Sequence, residues 1–181
     1  AARMTGLLAA LSDLSLAMRA ELRPGPVDLS LLADWVGAEL QDAQPGETLA
    51  LQVQPGLIAH GDERLLKLML AQLIGNAWKF SRGCAEPGVE IAGERDGATL
   101  RVQVRDRGCG FDMQYAHKLF EPFQRLHGPD QGAGHGLGLA IAHCVVQRHG
   151  GRIRAQSQPG AGAVFTVELP AAASPESAPH A

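Results

Sequence analysis

The sequence lacks a long apolar run. None of its 181 residues lies in an uncharged, apolar stretch of the roughly 20 positions that a membrane-spanning helix needs. The N-terminal stretch AARMTGLLAALSDLSLAMRAEL has no basic beginning and is interrupted by Asp13, so it does not match a secretory signal peptide either. We therefore expect a soluble chain that makes no membrane contact.

Cysteine is scarce. The three cysteines, Cys84, Cys109 and Cys144, are odd in number and are spaced neither as a CxxC pair nor as a metal-binding knuckle. Such usage is typical of a reducing compartment, in which disulfides do not persist. The sequence therefore predicts a cytoplasmic protein without structural disulfides.

An excess of charge of one sign is also missing. Sixteen Lys and Arg residues oppose 19 Asp and Glu residues, for a formal net charge of −3. Proteins that bind nucleic acid through its phosphates present a basic face, and no such excess exists here, so no nucleic-acid partner is predicted. Hydrophobic residues make up 45% of the chain, which is enough for the core of one domain.

Apolar residues recur every three or four positions in several segments, as they do in helices that bury one face. The first segment, from Met4 to Met18, has the seam of a helix that pairs with other helices, and the prolines of RPGP at 23–26 end it. A domain boundary is predicted near residue 25. Further helices are predicted at 27–40, with Asp28 or Ser30 as the N-cap, and at 62–80, 115–121 and 137–149.

Five other segments alternate apolar and polar residues with a period of two, which is typical of strands with one face in water. We expect one sheet whose other face is covered by helices, an α/β sandwich over residues 26–170. Residues 171–181, rich in Pro, Ala and Ser, are predicted to form a disordered tail. The predicted strands are 48–54, 88–95, 99–106, 151–157 and 163–169.

An aspartate at the end of a predicted strand is the first sign of a binding site. In TLRVQVRDRGCGFD, the period of two places Asp106 on the same apolar face as Val102 and Val104. A carboxylate on that face needs a partner, and Gly108 and Gly110 leave the adjoining backbone open to a flat ligand or to unusual dihedral angles. The alternative is a turn that the aspartate caps.

A polar stripe follows one edge of the predicted helix 62–80. Gln72, Asn76 and Lys79 lie at i, i+4 and i+7, beside the core face of that helix. Amide oxygens are suitable ligands for Mg²⁺, which keeps most of its waters, and a lysine would add charge for a phosphate group. The stripe indicates a cleft, although a solvated helix edge would show the same residues.

A run of glycines leads into the predicted helix 137–149 at positions 132, 134, 136 and 138. Backbone N–H groups and the positive end of the helix dipole would meet there, which indicates an anion site; the alternative is a flexible connection. Leu139 breaks the dinucleotide pattern GxGxxG, and no P-loop sequence occurs.

About thirty residues without a strong strand pattern separate Asp106 from the predicted helix 137–149, a length that is typical of a lid over a site. Phe120, Pro122 and Phe123 would give this connection either a hydrophobic plug or a minor satellite core. We expect residues 113–135 to be its most mobile part.

Five motifs, in this order, resemble the N, G1, F, G2 and C-terminal glycine boxes of the ATP-binding domain of sensor histidine kinases. The resemblance runs to about residue 170, and residues 1–25 resemble the end of the family's dimerisation helix and its linker. It implies the Bergerat-type fold of the GHKL superfamily: a mixed, mostly antiparallel sheet packed on helices, preceded by a coiled-coil-like helix. The motifs are QLIGNAWKFS, DRGCGFD, KLFEPFQRLH, GAGHGLGLAIAHCVVQRHGG and GAGAVFTVELP.

The resemblance implies a role for each candidate residue. Asn76 would ligate Mg²⁺, with Gln72 as a second catalytic amide beside it. Lys79 would contact phosphate, and Asp106 would accept a hydrogen bond from the adenine amino group. The remaining implied ATP contacts are Gly108 and Gly110 beneath the base, Phe120 in the F box, and Gly134, His135, Gly136, Leu137 and Gly138 around the phosphates.

Two residues depart from the family pattern. Gln72 stands where these kinases usually carry an Asn, and Arg107 replaces the usual Asn after the adenine-binding Asp. Hydrolases of the same superfamily place a general-base Glu where Gln72 stands, and an amide cannot take a proton. A kinase is therefore favoured over a hydrolase of this superfamily, and a non-catalytic ATP-binding scaffold is the alternative that the sequence leaves open.

None of the seven histidines has the acidic, basic, polar and proline context that marks the phosphorylated histidine in this family. The resemblance therefore implies a fragment of a histidine protein kinase whose acceptor histidine lies on a dimerisation domain outside these residues. The full-length protein is expected to be a homodimer that serves a response regulator.

Overall fold

The structure is a computed structural model that describes residues 2–84, 86–124 and 134–173. Within these ranges, no helix is both long enough and apolar enough to cross a membrane. In chain order the elements are α1 (Ala2–Arg19), β1 (Gly25–Asp28), α2 (Leu29–Ala43), β2 (Leu51–Val53), β3 (Ile58–Gly61), α3 (Glu63–Ser81), β4 (Val89–Asp96), β5 (Thr99–Asp106), a 3₁₀ helix (Met113–Lys118), α4 (Gly138–Arg148), β6 (Arg152–Ser157) and β7 (Ala163–Pro170).

Five strands form one sheet in the order β2-β4-β5-β7-β6. Only β2 runs parallel to its neighbour, and the other pairs are antiparallel. The apolar residues of β5, Leu100, Val102 and Val104, are buried beneath the helices, while Arg105 on the opposite face is exposed. The predicted sandwich of a mixed, mostly antiparallel sheet on helices is confirmed.

A second, two-stranded sheet was not predicted. Strand β1 pairs antiparallel with β3, with Gly25 opposite Gly61. Both strands are four residues long, which is too short for alternation to be recognised in the sequence. Pro26 also argues against a strand, because proline within a run is unfavourable to strand structure. The sequence also predicted β2 too long and a helix at 115–121, where the structure has the 3₁₀ helix.

Helix α1 packs against α4 of the same chain. Ala17 is fully buried, Leu7 and Leu14 pack on the core, and Met4 remains 71% exposed. Arg148 donates hydrogen bonds to the carbonyl oxygens of Ala17 at 2.9 Å and of Ala20 at 2.5 Å, which caps the C-terminus of α1. The apolar residues that were predicted to pair with another helix therefore fall into two groups: one group packs on α4 and the core of the same chain, and the other remains exposed.

The ordered domain extends further than the predicted boundary at residue 170. The Ala171 N–H donates to the Ala98 carbonyl at 2.8 Å, and Arg95 donates to the Ala172 carbonyl at 2.8 Å. The prediction of a tail from residue 171 is wrong for these positions, because composition alone does not reveal hydrogen bonds to distant segments. Residues 174–181 of the predicted tail lie outside the described residues.

Asp62 is a buried carboxylate that caps the start of α3. It accepts hydrogen bonds from the Arg23 N–H at 2.9 Å and from Arg64, whose Nη2 lies 3.0 Å from Oδ2. Burial by itself would raise the pKa of Asp62, but the bonds from Arg64, Arg23 and Leu65 outweigh it and lower the pKa to about 2. The cap joins the segment after α1 to the helix that forms the wall of the cavity described below.

We predict that Asp62→Asn reduces the free energy of unfolding at pH 7. Because the folded pKa lies below the ordinary value, the ionised carboxylate stabilises the fold above about pH 5, and the stabilisation is lost as the pH falls from about 4 to 2. Solvent screens the half-exposed Arg64, so the contribution is about 1–2 kcal/mol. Urea unfolding at several pH values measures it. The exposed Asp34→Asn is the control, and equal acid sensitivity of Asp62→Asn and the parent would refute the prediction.

Candidate functional site

A cavity of about 340 Å³ lies between α3, the loop after β5 and the start of α4. This volume is within the range of small-molecule sites. The polar stripe of α3 does line a cleft, as the sequence predicted. The predicted site residues that line it are Gln72, Asn76, Lys79, Asp106, Gly110, Gly134, His135, Gly136, Leu137 and Gly138.

Asp106 lies at one end of this cavity, on the last residue of β5. It is only 4% exposed, as its position on the apolar face predicted, and Oδ1 accepts a hydrogen bond from the Gly108 N–H at 2.8 Å. Burial raises the pKa of Asp106, and the hydrogen bonds from Gly108 and Ala163 oppose this effect without cancelling it. The carboxylate thus lies in a site that is costly for charge and is directed at the cavity.

The glycines after Asp106 permit close backbone packing. A Cβ at Gly108 would lie 2.3 Å from the Phe80 carbonyl oxygen, and one at Gly110, where φ is +63°, would lie 2.0 Å from the Gln158 carbonyl oxygen. Both contacts are within the protein. Of the two predicted reasons for these glycines, a flat ligand or unusual dihedral angles, the second applies to Gly110, whose φ is positive. Gly110 also lines the cavity, whereas Gly108 is not among the lining residues.

The start of α4 forms the other end of the cavity. Leu137 occupies the N-cap position, and no side chain there accepts a hydrogen bond from the first turn. Gly136 adopts φ of +70°, and its carbonyl accepts a hydrogen bond from the Phe123 N–H at 2.8 Å. The backbone N–H groups of this turn and the positive end of the helix dipole are thus directed at the cavity, which favours an anion.

The polar stripe of α3 faces these glycines directly. A Cβ at Gly138 would lie 2.8 Å from Gln72 Oε1, and one at Gly134 would lie 3.1 Å from Lys79 Nζ. Gln72 Oε1 and Lys79 Nζ are therefore close to the glycines at the start of α4. His135 reaches α1 as well, since its Nε2 lies 3.0 Å from the position that a Cβ at Gly6 would occupy.

Phe120 does not line the cavity. Its ring stacks on His143 of α4, with centroids 5.3 Å apart, and is partly buried against the core, while the buried Leu119 lines the cavity instead. Phe123 is 61% exposed, so of the two predicted alternatives the minor satellite core describes Phe120 and the plug does not. Residues 125–133 of the predicted lid lie outside the described residues, and its mobility stays a prediction.

The sequence analysis missed the apolar walls of the cavity. Ala163 and Phe165 of β7 lie beside β5, where Ala163 pairs with Asp106, so the period of two would have placed both on the buried face. Ala10 comes from α1, and no local pattern indicates it. The lining residues that were not predicted are Ala10, Ala71, Gly75, Phe80, Phe111, Leu119, Gln124, Leu139, Ala163 and Phe165.

The donor set fits a magnesium ion that is carried by phosphates. Among the described residues, no three His, Cys, Asp or Glu side chains cluster as metal ligands. Mg²⁺ needs few protein ligands when phosphate oxygens and waters complete its octahedron. Asn76 and, one turn before it, Gln72 line the cavity, and their amide oxygens would supply hard ligands to such an ion.

A buried acceptor at one end and an anion-binding helix start at the other are the features of a nucleotide-binding domain. The chain belongs to the family of histidine kinase-, DNA gyrase B- and HSP90-like ATPases, whose sequence profile matches residues 61–173. The family that the five motifs indicated is thereby confirmed, and with it the ATP-binding role of the domain.

Relatives of this chain include sensor histidine kinases and phytochromes. It is 33% identical over 181 residues to the sensor-like histidine kinase SenX3 of Mycolicibacterium smegmatis, a match that covers 97% of this chain and 47% of that protein. It is 38% identical over 128 residues to cyanobacterial phytochrome A of Nostoc, which covers 71% of this chain and 16% of the phytochrome. The chain thus spans less than half the length of these relatives.

Solved structures of histidine kinases share the fold. Full-length ShkA in complex with AMPPNP matches with a TM-score of 0.74 and 30% identity, over 93% of this chain and 36% of that one. The mycobacterial sensor histidine kinase MprB matches with a TM-score of 0.68 and 27% identity, over 84% of this chain and 100% of that one.

We predict that Asp106→Asn stabilises the domain at pH 7, that is, raises its free energy of unfolding. Burial raises the pKa of Asp106, so ionisation opposes folding, and an amide removes the buried charge while its oxygen still accepts the Gly108 bond. The advantage of the variant should shrink as the pH falls and the parent carboxylate becomes protonated. Denaturant unfolding at neutral and acidic pH measures this, and a variant less stable than the parent at pH 7 would contradict it.

Proposed function

We propose that this chain carries the catalytic domain of a two-component sensor histidine kinase, which transfers the γ-phosphoryl group of Mg²⁺-bound ATP to a histidine of a dimerisation domain outside these residues. The observation that carries the proposal is the polarity of the cavity. A buried carboxylate stands at one end, and the uncapped start of α4 and Lys79 stand at the other. ATP matches this arrangement, because adenine carries an amino donor at one end of the molecule and the triphosphate carries negative charge at the other.

In this proposal the residues act by placement and electrostatics. Asp106 accepts the adenine amino group, while Gly136, Leu137 and Gly138 donate backbone N–H groups to phosphate oxygens. Asn76 would hold the magnesium ion, which would screen the charge of the phosphates. Phosphoryl transfer needs little covalent help from the protein, so a correctly positioned γ-phosphoryl group is the main catalytic contribution.

The character of α3 supports a kinase over a hydrolase. The α3 side chain that lies against Gly138 is the amide of Gln72, which cannot activate water as a general base. The hydrolases of this superfamily carry a general-base Glu at that position. The acceptor histidine of a partner domain would supply the nucleophile instead.

The remaining features of the proposal concern the whole protein. Met4, Leu8, Leu11 and Met18 are exposed on α1, which supports pairing of this helix in a homodimer. A response regulator would receive the phosphoryl group. None of the three cysteines is in a disulfide, which supports a cytoplasmic location.

We predict that the chain binds Mg·ATP, does not label itself, and phosphorylates the dimerisation domain of its own full-length protein when that domain is added. No histidine in these residues has an acceptor context, so the label should appear only on the added domain. Labelled ATP followed by electrophoresis of both chains measures this. Acid-labile phosphate on the isolated chain would refute the assignment, and ATP binding without any transfer would identify a scaffold.

We predict that Asn76→Ala weakens magnesium-dependent ATP binding by roughly tenfold or more, the range already found for residues that merely support a metal ligand. The variant should remain folded, because Asn76 lies at the edge of the cavity and not in the core. Calorimetric titration with ATP, in Mg²⁺ and in EDTA, separates the two effects. Gln52→Ala on an exposed strand position is the control; equal binding by Asn76→Ala would remove the metal assignment.

We predict that Asp106→Ala weakens ATP binding by roughly ten- to hundredfold, since a hydrogen bond to a charged group contributes about 1.5–3 kcal/mol. GTP binding should change less, because the guanine carbonyl oxygen and the carboxylate are both acceptors and repel each other. Titration with both nucleotides measures the change, with Asp112→Ala as a nearby surface control. An unchanged preference for ATP over GTP would show that Asp106 is only a structural cap.

A further inference from the structure

Two of the three cysteines, none of which is in a disulfide, lie on segments that meet beside the cavity. Cys84 follows the end of α3, and Cys109 lies in the loop after β5. The Cys109 N–H donates to the Phe80 carbonyl at 3.2 Å, and the Cys84 N–H donates to the Ser81 carbonyl at 3.2 Å. Both backbones are therefore anchored to the last turn of α3.

Contacts on either side hold these segments together. Arg107 Nη1 lies 3.0 Å from Glu86 Oε2, and the missing Cβ of Gly108 lets the loop run directly against the Phe80 carbonyl. Neither thiol is fully buried. Burial raises the pKa of Cys109, and the neighbouring charges of Asp106 and Cys84 add smaller increases.

We propose that Cys84 and Cys109 form a modification site at which a reversible disulfide ties the loop after β5 to the end of α3. The oxidant is a low-molecular-weight disulfide such as oxidised glutathione. One protein thiolate attacks it and releases a first reduced thiol. The second protein thiolate then attacks the mixed disulfide, forms the bond between Cys84 and Cys109 and releases a second. The protein loses two electrons and two protons, and one small disulfide becomes two thiols.

The shared anchor is what selects this pair. Disulfides form only where the two Cα atoms can come within about 4.4–6.8 Å of each other. The hydrogen bonds of both segments to one helical turn hold the two backbones near each other. Cys144 lies on α4, which is not part of this anchor. Because the raised pKa of Cys109 keeps its thiol protonated, the reaction should be slow at neutral pH and faster at alkaline pH.

The first experiment treats the chain with oxidised glutathione at pH 8.5 and counts its thiols. We expect two of the three thiols to be lost, a peptide map that links Cys84 to Cys109, full reversal by a reductant, and a melting temperature about 5–10 °C higher than that of the reduced chain. Cys144→Ser should give the same result. Cys84→Ser and Cys109→Ser should each stop at a mixed disulfide with glutathione.

Three free thiols after oxidation, or a bond that includes Cys144 or a second chain, would overturn the proposal. A lower melting temperature would also overturn it, because the bond would then strain the native loop.

The consequence for the nucleotide rests on the proposed function. The bond would fix the loop that carries Asp106 relative to the helix that carries Asn76, and an already ordered site loses less entropy on binding. ATP should bind the oxidised chain up to tenfold more tightly than the reduced chain, and weaker binding would refute this pre-organisation. Absence of ATP binding in both forms would refute the proposed function, while the thiol count would still decide the disulfide.

Discussion

The close backbone contact between the loop after β5 and the last turn of α3 is the constraint on which the site depends. The Cys109 N–H bonds to the Phe80 carbonyl, and a side chain at Gly108 would prevent this approach. The contact joins the sheet to the helix layer at one point. It sets the separation of the two cavity walls, with Asp106 on one and Asn76 on the other.

The two ends of the cavity place opposite electrostatic demands on the fold. Burial of the Asp106 carboxylate costs stability, and only partial compensation comes from backbone N–H groups. At the other end, the first turn of α4 has no side-chain cap, so its N–H groups remain available to an anion. Both features oppose stability in the absence of a ligand, and a nucleotide with a donor at one end and phosphates at the other relieves both.

Helix α1 belongs to two environments. One side packs on α4, is capped by Arg148 and brings Ala10 to the cavity, while the other side keeps apolar residues such as Met4 and Leu8 exposed. A displacement of α1 would therefore open one wall of the cavity. This geometry links the position of the helix to the state of the site through direct contact rather than through a long chain of intermediates.

The sequence by itself determined the features that follow from local periodicity. Alternation in β5 placed Asp106 on the buried face, and helical spacing placed Gln72, Asn76 and Lys79 along one edge of α3, because both periods are properties of the backbone. Only the tertiary structure decided the contacts between segments that are far apart in the chain. These are the pairing of β1 with β3, the stacking of Phe120 on His143, and the approach of Gly108 to Phe80. Each of these depends on packing across the fold, and no local pattern specifies it.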